Sequence, residues 1–384
     1  MTPEGRPAKV LLAMSGGVDS SVAAALLTQA GHEVVGCFMR LGTVEEPEAM
    51  RPAEEAAACG TSATRRRGCC SVGDAEDARL VAARLGIPLY VLNFRRDFDR
   101  VIDYFVGEYS AGRTPNPCVR CNDWLKFGRL HDHAESIGAS FVASGHYARI
   151  ERRGDEARLR RGLDEAKDQS YVLFGLPGER LRRTLLPIGG LRKPEVRRLA
   201  RELELPVFDK PDSQEICFVP EGDYAGLLRR RAPDSVAPGR VVDEAGRTLG
   251  EHPGHQHFTI GQRRGLGLAT GVPLFVLSKD PSRNEVVVGP RERLVCGGAI
   301  ARGVNWTAGE PPREWRSCVV QWRAHGEVAA ARVRVEGEGG VARLEVRFEH
   351  PSEMLAPGQA IVCYAGDEVL GGGWIDEVLP AVTA

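Results

Sequence analysis

The stretch Ser15-Gly16-Gly17-Val18-Asp19-Ser20-Ser21 limits what this chain can fold into more than any other part of it. It sits between an apolar run, residues 9–14, that reads as a strand and an alanine-rich run, residues 20–29, that reads as a helix. Two glycines let the backbone turn sharply and approach an anion closely. The helix that follows aims its unpaired N–H groups and the positive end of its dipole at the same point. Ser15, Ser20 and Ser21 add hydroxyl donors, and Asp19 is suited to hold Mg2+ against phosphates. The pattern is neither a Walker loop nor Gly-x-Gly-x-x-Gly. A bare Ser-Gly-Gly would be a plain turn; the full run at a strand-to-helix junction points to a nucleotide site.

Composition removes several function classes. The chain has 384 residues, 42% hydrophobic and 27% charged, with a net charge of −1, so bulk electrostatic attraction to nucleic acid is not expected. No apolar run approaches the ~18 residues of a spanning helix. The start, Met1 to Lys9, carries charges and two prolines and no signal-peptide core. Ten cysteines are too sparse for a disulfide scaffold, so a reducing, cytoplasmic location is expected.

Residues 9–14, 33–39, 88–93 and 140–144 read as strands, and 20–29, 72–85, 125–137 and 191–203 as helices. Such alternation predicts a parallel sheet covered on both faces. A helix over 217–231 and a glycine-rich stretch, 239–271, follow. From about Gly297 the runs 317–323, 328–335, 341–348 and 360–364 alternate between turns, which predicts a small antiparallel barrel. The expected domains are therefore 1–210, 211–296 and 297–384, with residues 41–68 as a mobile surface loop.

Three thiols stand out: Cys118 and Cys121 in Arg113-Thr114-Pro115-Asn116-Pro117-Cys118-Val119-Arg120-Cys121-Asn122, and Cys217 in Asp212-Ser213-Gln214-Glu215-Ile216-Cys217-Phe218. Pro115 and Pro117 are expected to keep this loop out of a helix until after Cys121. Arg113, Arg120 and Lys126 are expected to favour a thiolate. A zinc site would want four ligands, and only one Cys-x-x-Cys is present. Cys37, Cys59, Cys69, Cys70, Cys296, Cys318 and Cys363 read as buried or incidental. His252, His255 and His257 lie close in sequence, but no nearby carboxylate or cysteine completes a metal set. Residues 145–210 hold 16 Lys/Arg against 11 Asp/Glu, a surplus of 16 − 11 = 5, and Arg263-Arg264 adds a second basic point, so RNA contact would be local.

The loop resembles the PP-loop ATP pyrophosphatases, which cleave ATP between the α and β phosphates. With the cysteines, the chain closely resembles the bacterial tRNA-specific 2-thiouridylase family, through residues 13–21, 112–122, 144–147, 167–173, 211–219, 258–267, 357–359 and 370–373. The resemblance implies an α/β parallel-sheet PP-loop domain, a small central domain and a C-terminal antiparallel β-barrel. It implies ATP-dependent 2-thiolation of the wobble uridine of tRNA, expected for the Lys, Glu and Gln tRNAs, with Mg2+ and no membrane. A sulfur donor such as a cysteine desulfurase or a sulfur-relay protein is implied as a partner. Cys121 matches the family's nucleophile and Cys217 its persulfide carrier, with a disulfide between them after transfer. Ala13, Met14, Ser15, Gly16, Gly17, Val18, Asp19, Ser20, Met39 and Gly145 match ATP-binding positions. Asn116, Pro117 and Cys118 match the segment that contacts the target base. Lys167, Asp168, Gln169, His146 and Gln359 match tRNA-contacting positions.

Two departures stand out. Many members carry aspartate where this chain has Cys118, and Gln321-Trp322 replaces a typical Arg-Tyr pair, leaving an aromatic surface for stacking but one charge fewer. With Cys118 present, Cys118, Cys121 and Cys217 could instead hold a [4Fe–4S] cluster for the same reaction. The competing classes are an ATP-dependent amidating ligase of the same superfamily and a redox-sensing RNA-binding protein.

Overall fold

The computed structural model describes residues 6–42, 71–212, 216–219, 223–232 and 236–381. Cys59, Cys69, Cys70 and nearly all of the loop expected at 41–68 lie outside the described residues.

β1 (Lys9–Ala13) leads through the glycine loop into α1 (Val18–Gln29) and β2 (Glu33–Arg40), and then α2 (Val72–Leu85), β3 (Leu89–Asn93) and α3 (Arg95–Ser110) follow. α4 (Pro117–Cys121) runs through a π-helical stretch, Asn122–Arg129, into α5 (Leu130–Ser136) and β4 (Phe141–Ser144). A hairpin, β5 (Ala148–Arg153) and β6 (Glu156–Arg161), precedes α6 (Gly178–Arg182), β7 (Thr184–Leu185) and α7 (Lys193–Glu202). The five strands β3-β2-β1-β4-β7 form one sheet, parallel throughout. β1 is central and buried from Val10 onward, as a strand covered on both faces must be. α1 buries residues all around its axis, which explains its alanine content: it lies between the sheet and neighbouring helices, where small side chains let backbones approach. α2 starts on a reciprocal Ser71–Asp74 capping box and stops at left-handed Gly86.

The structure departs from the sequence reading in three places here. α3 is an additional helix, burying Phe98, Val101, Ile102, Phe105 and Tyr109 along one stripe. The helix expected over 217–231 is confined to α8 (Tyr224–Arg231), capped by the Asp223 carboxylate on the Gly226 N–H, so Cys217 lies ahead of it. The β5–β6 hairpin leaves the parallel sheet and pairs β6 with the C-terminal barrel at Glu368↔Arg160.

The glycine-rich stretch contributes to a four-stranded sheet. β8 (Gly239–Val242), β9 (Thr248–His252), β10 (Phe275–Asp280) and β11 (Glu285–Gly289) stand in the order β10-β11-β8-β9 over a small core of Val241, Phe258, Val276, Val286 and Val288. The last third holds β12 (Val295–Trp306), β13 (Arg316–Gln321), β14 (Val328–Glu336), β15 (Arg343–Glu353), β16 (Ala360–Ala365) and β17 (Glu368–Pro380). These run β12-β15-β14-β13-β16-β17, and β17 pairs back onto β12, closing an antiparallel barrel.

The barrel does not stand apart. Ala360, Val362, Tyr364 and Val369 pack into the same apolar cluster as α3 and the π-helical stretch. Arg161 is the polar pin of this junction: it stacks 3.7 Å over the Tyr364 ring and donates at 2.9 Å to both Asp168 and Gln321. Among the described residues no helix is long and apolar enough to cross a membrane.

Two predictions arise from this architecture. Asp168→Ala leaves the half-buried Arg161 without its carboxylate and should cost roughly 2–4 kcal/mol of stability, read by urea unfolding; a loss below ~1 kcal/mol would show that the junction does not depend on this pair. His131 is buried, and its Nε2 lies 3.3 Å from the Thr184 hydroxyl, which itself donates to the Arg180 carbonyl, so the ring is a neutral Nε2–H donor. Desolvation, aided by Arg180 and Arg183, lowers its pKa to about 4. The unfolded chain takes up a proton near 6.5 while the folded one does not, so stability falls as pH drops from 6.5 towards 4. His131→Gln should flatten that part of the stability–pH profile, and an unchanged profile would contradict the assignment.

Candidate active site

The carboxyl ends of β1, β2 and β4 converge on the glycine loop, so Ala13, Met14, Met39 and Gly145 lie around Ser15–Ser20 as expected for a ligand site on a parallel sheet. Gly16 has φ +72°, and a Cβ there would stand 2.1 Å from the Asp74 carbonyl oxygen at the start of α2. Gly145 abuts the first turn of α1: a Cβ would fall 2.7 Å from the Ser20 nitrogen and 2.8 Å from the Asp19 carbonyl carbon. Ser20 Oγ accepts the Ser15 N–H at 3.2 Å, and the Ser21 hydroxyl donates to the Gly17 carbonyl at 2.8 Å, which fixes the turn.

Charge around this loop is balanced by a network centred on Lys193, Tyr147 and Lys210, none of which carried a site expectation in the sequence. Lys193, at the start of α7, donates to both Asp19 oxygens at 2.8 and 2.9 Å, and the Tyr147 hydroxyl donates to the same carboxylate at 2.8 Å. Gln169 holds Tyr147 by accepting its backbone N–H at 2.9 Å. Lys193 also pairs with Asp212 at 2.8 Å, and Lys167 and Arg197 each meet Asp212 at 2.8 Å. Partial desolvation works against ionisation of Asp212, but the Lys167 and Lys193 ammonium groups outweigh it and hold the carboxyl at about 2. On the other side, Lys210 donates to the Gly16 carbonyl at 3.0 Å and to Asp74 and Asp77 at 2.6 Å, tying the loop to α2. Lys193-Pro194-Glu195 reads in sequence only as a helix start, which is why its role was not visible there.

The cysteine segment differs from its expectation. α4 begins at Pro117, so Cys118 and Cys121 already lie on a helix. Proline suits the first helical position because its missing N–H would be unpaired there anyway, and Asn116 caps the turn through the Val119 N–H. Cys118 is exposed; Cys121 and Cys217 are half-buried and pack on the same apolar cluster. The arginines expected to favour a thiolate have ionic and aromatic partners of their own. Arg113 pairs with Glu108, and Arg120 stacks 3.8 Å over Trp374 and lies 3.9 Å from Asp123. Burial pushes Asp123 up to about 7 against the pull of Arg120. Cys37 and Cys296 are buried, with thiols pushed up to about 12 and about 11 by desolvation, as inert core residues are.

Residues expected to meet tRNA divide into two groups. Lys167, Asp168 and Gln169 turn towards Asp212, Arg161 and Tyr147 and serve the nucleotide loop and the barrel junction. His146 is buried, with its Nδ1 2.7 Å from the Ser144 hydroxyl, and desolvation together with Lys126 keeps it neutral. Trp322 does not offer the expected stacking surface: it is 7% exposed and packs on Phe348 inside the barrel, and Gln321 is occupied by Arg161 and the Arg323 carbonyl. Gln359 lies in the barrel turn that docks on the cysteine segment, where the Thr114 N–H donates to the Pro357 carbonyl at 2.8 Å. Much of the basic surplus of 145–210 is neutralised by acids outside that segment: Asp367 takes Arg149 and Arg160, Glu135 takes Arg183, and Glu368 takes Arg158. His252 accepts the Gly254 N–H and His255 meets Asn284, so both are structural. Among the described residues no group of three or more His, Cys, Asp or Glu side chains is disposed to hold a metal ion.

Residues 8–221 match the family model of the tRNA methyl transferase HUP domain, 226–290 that of the tRNA methyl transferase PRC-barrel domain, and 297–375 that of the aminomethyltransferase beta-barrel domain. The chain is 46% identical to a tRNA-specific 2-thiouridylase of Rhodopirellula baltica, with 97% of each covered. It is 46% identical to one of Geotalea uraniireducens, over 100% of this chain and 99% of the relative, and 47% identical to one of Chloroflexus aurantiacus, over 96% and 98%.

The close contact at Gly145 makes a sharp test. Gly145→Ala should push the first turn of α1 away and lower ATP affinity at least ~10-fold, with the melting temperature within a few degrees of wild type. Unchanged nucleotide affinity would separate this contact from the phosphate site.

Proposed function

The chain belongs to the tRNA-specific 2-thiouridylase family, and on that footing we propose that it transfers sulfur to position 2 of the wobble uridine of tRNA at the expense of ATP. The observation that carries this reading is the pairing of a phosphate-type loop with two half-buried thiols, Cys121 and Cys217, on one apolar cluster. An amidating ligase has no use for such a pair.

Uridine C2 is amide-like and has a poor leaving group. Attack of O2 on the α-phosphorus of ATP expels pyrophosphate and turns the departing oxygen into part of AMP. The N–H groups at the start of α1 and the hydroxyls of Ser15 and Ser20 receive the polyphosphate. The donor set fits Mg2+, since the Asp19 carboxylate and the serine oxygens beside it are hard oxygen ligands. Mg2+ would be held by Asp19 and would neutralise the phosphates.

Sulfur arrives as a persulfide on Cys217, loaded by a donor of the cysteine-desulfurase or sulfur-relay class. The Cys121 thiolate attacks the inner sulfur, the Cys217 S–S bond breaks, and hydrosulfide adds to C2 as AMP leaves. A Cys121–Cys217 disulfide remains, and an external thiol returns it to two thiols. The substrates are tRNAs with a wobble uridine, of the Lys, Glu and Gln type. Asn116, Pro117 and Cys118 meet the target base, and His146 and Gln359 contribute to tRNA recognition. A [4Fe–4S] cluster on Cys118, Cys121 and Cys217 would need a three-thiolate set, which is not gathered among the described residues, so no step is drawn through it.

Cys121→Ser and Cys217→Ser should each lower 2-thiouridine formation by more than ~10²-fold while ATP binding persists, whereas Cys118→Ala should keep most activity. The readout is nucleoside mass spectrometry of tRNA after single turnover. Loss in Cys118→Ala as severe as in Cys121→Ser would overturn the two-thiol route.

A further inference from the structure

We infer that Lys193 is the internal counter-ion of the phosphate loop: it holds Asp19 in the nucleotide-free protein and passes to the polyphosphate when a divalent cation takes the carboxylate. The inference rests on the ATP-dependent reading above and adds a residue and an order of binding to it.

The geometry is specific. The Lys193 ammonium lies 2.8 and 2.9 Å from the two Asp19 oxygens and 2.8 Å from Asp212. Lys193 is 8% exposed, and its backbone N–H is fixed by the Asp164 carboxylate at 2.8 Å, so only the side chain has room to redirect. While the ammonium occupies both oxygens, a cation cannot use them without displacing it. A metal arriving alone must therefore break an ion pair and leave the lysine facing a positive charge. A metal arriving with ATP brings the phosphate charge that the ammonium then needs, and lysine binds phosphate as a compact point charge. Asp212 keeps its hold on the ammonium during the exchange, and Lys167 and Arg197 hold Asp212 ionised. Tyr147 remains on Asp19 through its hydroxyl and keeps the carboxylate oriented. The loop is thus built to bind metal and nucleotide together and to resist the metal alone.

The test uses Mn2+ as the probe, without nucleotide or tRNA, with bound and free ion counted by electron paramagnetic resonance. Lys193→Gln keeps a donor for Asp212 but frees Asp19. Its Mn2+ affinity should rise at least ~10-fold over wild type, because removing a contact ion pair alters the local field far more than removing a distant charge. Arg197→Gln removes an equal charge from the same Asp212 but does not touch Asp19, and should change Mn2+ affinity by less than ~3-fold. In the presence of ATP the order reverses: Lys193→Gln should bind Mn2+–ATP more weakly than wild type. Equal effects of the two variants on Mn2+ alone, or no rise in Lys193→Gln, overturn the proposal. If circular dichroism shows Lys193→Gln to be unfolded, Asp212→Asn carries the test. With its second partner gone the ammonium is committed to Asp19, and Mn2+ affinity should fall at least ~3-fold; an unchanged affinity rejects the idea. None of these readouts depends on tRNA thiolation, so failure here leaves the assigned reaction standing, and failure of that reaction leaves the metal measurement interpretable.

Discussion

The ion pair between Lys193 and Asp19 is the interaction around which the site is arranged. Asp19 stands in the first turn of α1, where the helix dipole favours an anion, but the loop that carries it must also receive phosphates. A bare carboxylate there would repel the ligand the loop is shaped for. The protein resolves this with a lysine from the start of α7, far along the chain from the loop, and with Tyr147 from the turn between β4 and β5. Gly145 lets β4 come close enough for that arrangement, since any side chain would meet the backbone of Ser20.

A second constraint concerns the placement of the two half-buried thiols. The thiols lie on α4 and just ahead of α8, and both pack on a cluster that contains barrel residues. The barrel is therefore part of the wall that positions the cysteines. Arg161 stitches the β5–β6 hairpin to Tyr364 and Gln321, and Asp367 and Glu368 bind the hairpin's Arg149, Arg158 and Arg160. Positive charge that looks in sequence like an RNA-binding surplus is in large part the glue between domains.

What the sequence disclosed and what it hid divide along physical lines. The phosphate loop, the parallel sheet and the closed barrel were legible because each depends on local periodicity or on glycine and proline chemistry. α3 is also legible in principle, since Phe98, Val101, Ile102, Phe105 and Tyr109 follow helical spacing. The start of α4 is hidden by its prolines, which break a helix interior but suit the first helical position. Lys193, Asp212 and Arg161 could not be read locally, since their partners lie far away along the chain. Trp322 shows the same limit from the other side: its burial against Phe348 is set by barrel closure, which no short pattern reports.

If ATP activates the uridine oxygen itself before sulfur replaces it, that oxygen must leave with AMP. A tRNA carrying 18O at position 2 of the wobble uridine, in a single turnover with ATP and persulfide-loaded protein, should put 18O into the phosphate of AMP in one-to-one proportion with 2-thiouridine formed. Unlabelled AMP with the label released to water would contradict it.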